Sequence, residues 1–129
     1  TLSTMRALTP PWAPIGNPLD LGPSGVYAQG IEALLADPQV DALLILIAIP
    51  WIAIRFAVEG GTSFSFLLGD LDRLRAAAKE KPILISHLGY PGFVQRTFAE
   101  VGDFIPIYPN SERAAAALGM LARNSRVTA

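Results

Sequence analysis

Apolar and polar positions follow two different periods along this chain. Residues 41–49 read Asp-Ala-Leu-Leu-Ile-Leu-Ile-Ala-Ile, with no polar side chain after Asp41. A strand apolar on both faces belongs in the middle of a parallel sheet covered by helices on each side. Before it, Tyr27, Ile31, Leu34 and Leu35 recur at i, i+4, i+7 and i+8, one face of a helix, and Asp37-Pro38 ends that pattern. The spacing predicts a long helix over 64–79, with Leu67, Leu71, Leu74 and Ala78 on one stripe. Arg73, Arg75, Lys79 and Lys81 lie toward its C-terminal end, where the dipole favours cations. Residues 82–86 form a second strand. A helix over 91–101 is expected to bury Val94, Phe98 and Val101 and to stop at Gly102. Residues 105–108 make a third, short strand near the sheet edge, because Pro106 has no amide to donate. Asn110 or Ser111 caps the last helix, with Glu112 in its first turn and Leu118 and Leu121 facing inward.

The string 17–25, Asn-Pro-Leu-Asp-Leu-Gly-Pro-Ser-Gly, mixes these signals. Pro18 pushes Asn17 away from helical angles, so 17–21 reads as a short extended segment. Gly22 lets the backbone turn, Pro23 suits a first helical turn and Ser24 can cap it. The helix after Gly25 therefore opens with free N–H groups and a positive dipole end, a place for a phosphate or carboxylate. An ordinary capped strand-to-helix turn has the same residues.

Counting 17–21 as the first strand, the chain alternates β-α-β-α-β-α-β-α. That order implies right-handed crossovers and a three-layer α/β/α domain, flavodoxin-like or Rossmann-like, with a mostly parallel four- to five-stranded sheet. Residues 1–16 stand apart as a helical stub over 1–8 and a lead-in carrying Pro10, Pro11 and Pro14, ahead of one domain over 17–129.

Composition narrows the function classes. A chain of 129 residues can bury its own core, and without cysteine it has no disulfide, thiolate zinc site or cysteine nucleophile. One histidine excludes a multi-histidine metal site within the chain. A net charge of −1 with scattered Lys and Arg argues against nucleic acid as a partner. A hydrophobic content of 51% beside 16% charged residues points to surface buried against other domains or subunits. The longest apolar run is broken by Pro50 and too short to span a bilayer, and residues 1–8 do not resemble a signal peptide. The expectation is a cytoplasmic protein with no membrane partner. The opening Thr1 suggests a piece of a longer chain.

Ligands of such folds bind beyond the carboxyl ends of the strands. Four stretches fall there: 21–25, 50–62, 87–92 and 109–111. The second holds Trp51, Arg55 and then Gly60, Gly61, Thr62 and Ser63, a possible secondary phosphate loop without Walker or dinucleotide spacing. Capping the following helix is the plainer role for its hydroxyls. Trp51 and Phe56 read as interface or core residues. His87 is expected as an exposed, strand-end loop histidine with no partner carboxylate or nucleophile evident in sequence. Neither a Ser/His/Asp set nor a G-x-S-x-G elbow is present, so no complete active site lies in this chain.

Asn17-Pro18-Leu19-Asp20-Leu21, an apolar helix, and then Asp37-Pro38-Gln39-Val40-Asp41-Ala42-Leu43-Leu44-Ile45 resemble the ADP-forming (NDP-forming) acyl-CoA synthetases of the succinyl-CoA synthetase superfamily. Residues 105–114, Ile-Pro-Ile-Tyr-Pro-Asn-Ser-Glu-Arg-Ala, resemble that family's P-V-Y-x-x-P-E-R-A segment, with Asn-Ser where Pro is more usual. Residues 10–16 resemble its approach to this domain. The resemblance implies the flavodoxin-like domain that follows the CoA-binding and phosphohistidine domains, with an ATP-grasp module elsewhere in a homo- or hetero-oligomer. It implies a reaction joining a carboxylic acid to CoA at the expense of ATP, through an acyl phosphate and a phosphohistidine. The parent enzyme would use CoA, ATP and Mg, while this domain alone binds none of them and is inactive. The resemblance assigns the helix start with Asn17, Asp20, Gly22, Pro23, Ser24 and Gly25 to facing the phosphohistidine. Ser86-His87-Leu88-Gly89 looks like the family's Ser-His-Thr-Gly, but the apolar strand before it and the neighbouring motifs belong to a different domain, so His87 is not read as the phosphoryl carrier.

Two other readings compete. One is a stand-alone flavodoxin-like or receiver-like module that binds or regulates without catalysis. A receiver, however, needs acidic residues and a lysine at strand ends, and Asp41 and Lys81 stand at strand starts. The other is a non-enzymatic remnant of a synthetase, serving as a regulatory or scaffolding domain.

Overall fold

The computed structural model describes residues 2–22, 25–48 and 65–127. Helices α1 (Leu2–Leu8) and α2 (Tyr27–Ala36) precede strand β1 (Leu43–Ala48). The short helix α3 (Ser65–Leu68) and α4 (Leu71–Glu80) lead to β2 (Ile83–Leu88). Helix α5 (Pro91–Val101), strand β3 (Ile107–Tyr108) and helix α6 (Ser111–Val127) follow. The strands stand in the order β1-β2-β3, all parallel, with Ile45 opposite Ile85 and Ile85 opposite Ile107. The fold is α/β with a parallel sheet, consistent with a Rossmann-like arrangement.

Alternation sorts the sheet into two faces. Leu43, Ile45, Ile47, Ile83 and Ile85 point into one buried cluster with Ile31 of α2, Leu67 and Leu68 of α3, Leu74 of α4 and Phe93 and Val101 of α5. Leu84 and Ser86 are buried on the opposite face, where α6 contacts all three strands and buries Ala114.

The sheet is smaller than four or five strands: three are present among the described residues. Residues 17–21 are not a strand, and β1 has no ladder partner on its outer side among the described residues. That openness also corrects the expectation for β1 itself. Its odd positions are buried, but Leu46 on the other face is 48% exposed. Strand β2 runs two residues past Ser86, to Leu88. Strand β3 is reduced to Ile107 and Tyr108 at the sheet edge, where Pro106 still accepts from the Ile85 amide at 3.0 Å through its carbonyl.

The helix expected over 64–79 is two helices. Gly69 turns the chain with φ of +76°, and Asp70 starts α4 by accepting from the amides of Asp72 and Arg73. The apolar stripe survives the break, since Leu67 and Leu74 are buried and Leu71 packs beside them. In α5 the buried face is Phe93, Thr97 and Val101, while Phe98 is 51% exposed. The expected phase was wrong because Thr97, a polar residue, occupies the i+4 position of the inward stripe. Helix α6 is capped by Asn110, whose Oδ1 accepts from the Arg113 amide at 2.9 Å. Leu118 is half-buried, but Leu121 is 47% exposed because the C-terminal half of α6 loses its cover.

Candidate functional site at the start of α2

The extended segment before α2 is held by its own short-range bonds. Asp20 Oδ1 accepts from the Gly22 amide at 2.9 Å, the geometry of an Asx turn. Gly22 takes φ of +48° and Gly25 φ of +73°, both in the left-handed region that glycine tolerates. A side chain at Gly22 would lie 3.5 Å from the ring of Trp12, which closes over the turn, whereas Gly25 faces open space. Asn17 and Asp20 are exposed. Pro23 and Ser24, and with them the expected Ser24 cap, lie outside the described residues.

Helix α2 begins with Val26 as N-cap, and no side chain among the described residues caps its first turn. The Gly30 amide is the first to reach back, to Val26 O at 2.9 Å. The amides of Tyr27, Ala28 and Gln29 therefore have no intrahelical acceptor, and no acidic residue stands in that turn. The arrangement presents several N–H donors beside open backbone. Asp20 puts a negative charge beside this turn, so an anion here would compete with it for the Gly22 amide.

Tyr27, the first residue of α2, carries a phenol whose pKa is raised by burial and, secondarily, by the Asp20 carboxylate. It remains a protonated donor at neutral pH. Sequence reading placed Tyr27 on the inward face of α2 and missed both its proximity to Asp20 and the Trp12 cover over Gly22. Neither relationship is a spacing along one element, so periodicity carries no signal for them.

Gly60, Gly61, Thr62 and Ser63 lie outside the described residues, as do Trp51, Arg55 and Phe56. His87 contradicts the expectation of an exposed loop histidine. It sits inside β2, is 3% exposed, and is paired across the sheet with Ile47. Its Nδ1 lies 2.9 Å from Thr97 Oγ1, its ring meets Phe93 edge-on at 5.8 Å, and burial lowers its pKa. Among the described residues no group of three or more His, Asp or Glu side chains could hold a metal ion. No described helix is long and apolar enough to cross a membrane.

No protein-family model matches the chain, and no solved structure matches it. One curated protein does. The chain is 28% identical over 131 residues to the acetate–CoA ligase [ADP-forming] II subunit alpha of Pyrococcus furiosus, an alignment covering 98% of this chain and 27% of that protein. The chain thus spans about a quarter of its curated relative and is similar, along nearly its whole length, to one segment of a CoA ligase subunit.

Proposed function

We propose that this chain is a domain of an NDP-forming acyl-CoA synthetase, and that the start of α2 is its phosphate-facing element. The reading is supported by the similarity to a CoA ligase subunit over 98% of the chain. Within the structure, the observation that carries it is the first turn of α2, which no side chain among the described residues caps, preceded by Gly22 and Gly25 at positive φ. In the parent reaction, a histidine takes the γ-phosphoryl group of ATP and releases ADP, and a carboxylate then attacks that phosphorus, giving an acyl phosphate and freeing the histidine. CoA then displaces phosphate to give the thioester. This chain contributes backbone donors that offset the charge of a phosphoryl group carried on a histidine elsewhere, together with surface for the CoA-binding, phosphohistidine and ATP-grasp domains. CoA, ATP and Mg bind outside it, so the domain alone is inactive. His87, buried among apolar side chains, has a packing role.

An NMR titration of the chain with inorganic phosphate, phosphoimidazole, CoA and ATP tests this. Shifts at Gly22, Gly25 and Val26 with phosphoimidazole, and none there with ATP, are expected. Silence at these residues, with shifts around 60–63 or His87 instead, would place the site elsewhere in the chain. Bound FMN would favour the flavodoxin-like reading.

A further inference from the structure

Helices α2 and α4 are parallel neighbours with an open groove between them. Gly69, just before α4, lies beside Ala28 and Glu32 of α2, and Lys81, just after it, bonds the last carbonyls of α2. The groove holds about 410 Å³, with Leu35, Leu68 and Leu74 among its apolar walls. Near the start of α4 it is rimmed by Glu32, Asp70 and Arg73, and near the helix ends by Ala36 and Ala77. Asp70 already accepts from the Asp72 and Arg73 amides and lies 3.6 Å from Arg73 Nε. Glu32 is exposed and makes no ion pair with a described residue. The groove is therefore apolar inside with a surplus carboxylate at one end, which suits an apolar helix face carrying a cation.

Helix α6 carries such a face. Ala116, Met120 and Arg123 recur at i, i+4 and i+7 and are all exposed. Met120 is 54% exposed, and Arg123 makes no ion pair with a described residue. Ala116 to Arg123 covers seven residues, about 10 Å of helix, the same rise as Asp70 to Ala77 along the groove.

We propose that this face of α6 in one copy of the chain docks in the α2–α4 groove of a second copy. Arg123 then meets Glu32, Met120 lies over Leu35 and Leu74, and Ala116 meets Ala36 and Ala77, where small side chains let the backbones approach. This orientation runs α6 antiparallel to α2 and α4, so its carbonyl end meets their amide ends, the favourable sense for the dipoles. The groove and α6 lie on opposite faces of the sheet. The contact is thus head-to-tail, and each docked copy leaves its own groove open for another. The inference stands apart from the synthetase reading.

Sedimentation of the full chain, from micromolar to millimolar concentration, tests the proposal. The average mass should rise with concentration and pass that of a dimer. Met120→Lys, which sets a charge in the middle of the docked face, should weaken association about tenfold. Glu32→Lys and Arg123→Glu should each weaken it as well. An equimolar mixture of those two variants should restore it, because each groove again meets a helix of opposite charge. All three positions are exposed, so an unchanged thermal midpoint in dilute solution reports that the fold is intact. A monomer at every concentration, association that stops at a dimer, or variants that associate like the unsubstituted chain would overturn the proposal. So would a mixture that associates no better than either variant alone.

Discussion

Thr97 Oγ1 lies 2.9 Å from His87 Nδ1 and 3.0 Å from the carbonyl oxygen of Phe93. A hydroxyl has one proton, so both contacts are hydrogen bonds only if Thr97 donates to Phe93 and accepts from Nδ1–H. The buried pair ties β2 to α5 and sets the imidazole tautomer. Replacing Thr97 with Val keeps the shape and removes this buried hydrogen bond, at a cost of about 1–3 kcal/mol. Urea unfolding would measure it. Nitrogen-15 NMR of the unsubstituted protein should find the proton on Nδ1.

Burial of His87 also makes stability depend on pH. Its pKa in the folded chain is lowered, with desolvation as the cause, so the unfolded chain takes up the proton first as pH falls. Stability should be full above the unfolded value of about 6.5 and decline as pH drops below it. Urea midpoints at neutral and mildly acidic pH should diverge less in His87→Gln than in the unsubstituted protein. Equal divergence in the two would remove His87 as the cause.

Lys81 Nζ donates to Leu35 O at 2.9 Å and to Asp37 O at 2.6 Å, holding the carbonyl end of α2 against the start of β2. A cation at the last carbonyls of a helix is favoured by both hydrogen bonding and the dipole. Lys81→Met retains the aliphatic stem and should lose about 1 kcal/mol. The α2 amides near Leu35 should exchange faster, while those of α5 stay unchanged.

Gly69 separates α3 from α4 at φ of +76°, and a side chain there would also come within 3.3 Å of Ala28 Cβ. Gly69→Ala should destabilise by about 1–2 kcal/mol, from left-handed strain alone. A thermal scan would register this as a lower midpoint. No loss would mean that the break is not held at Gly69.

Arg75 reaches Asp103 at 2.9 Å and stacks over the Phe104 ring at 4.1 Å, linking α4 to the turn before β3. Both charged side chains are largely exposed, so Arg75→Ala should cost no more than about 1 kcal/mol. Part of that cost should persist at high salt, because the ring contact is less screened than the ion pair.

Periodicity within single elements was legible from the chain alone. Ile31 on α2, Leu67 and Leu74 on their stripe, the Asn110 cap and the edge position of β3 are consequences of local spacing and backbone chemistry. So is the turn at Gly22, whose positive φ is a property of a single residue type. What lies across the sheet was not legible. Thr97 looks polar in sequence, yet it faces inward because His87 on β2 gives its hydroxyl a partner, and that shifts the buried face from Phe98 to Phe93. Leu46 and Leu121 look like core residues, yet both are about half exposed because cover depends on which elements reach them. The sequence by itself determined the order and type of most elements and where the chain turns. Tertiary structure alone decided which faces are covered, how His87 is buried and that 17–21 does not join the sheet, because burial and ladder bonding arise between segments distant along the chain.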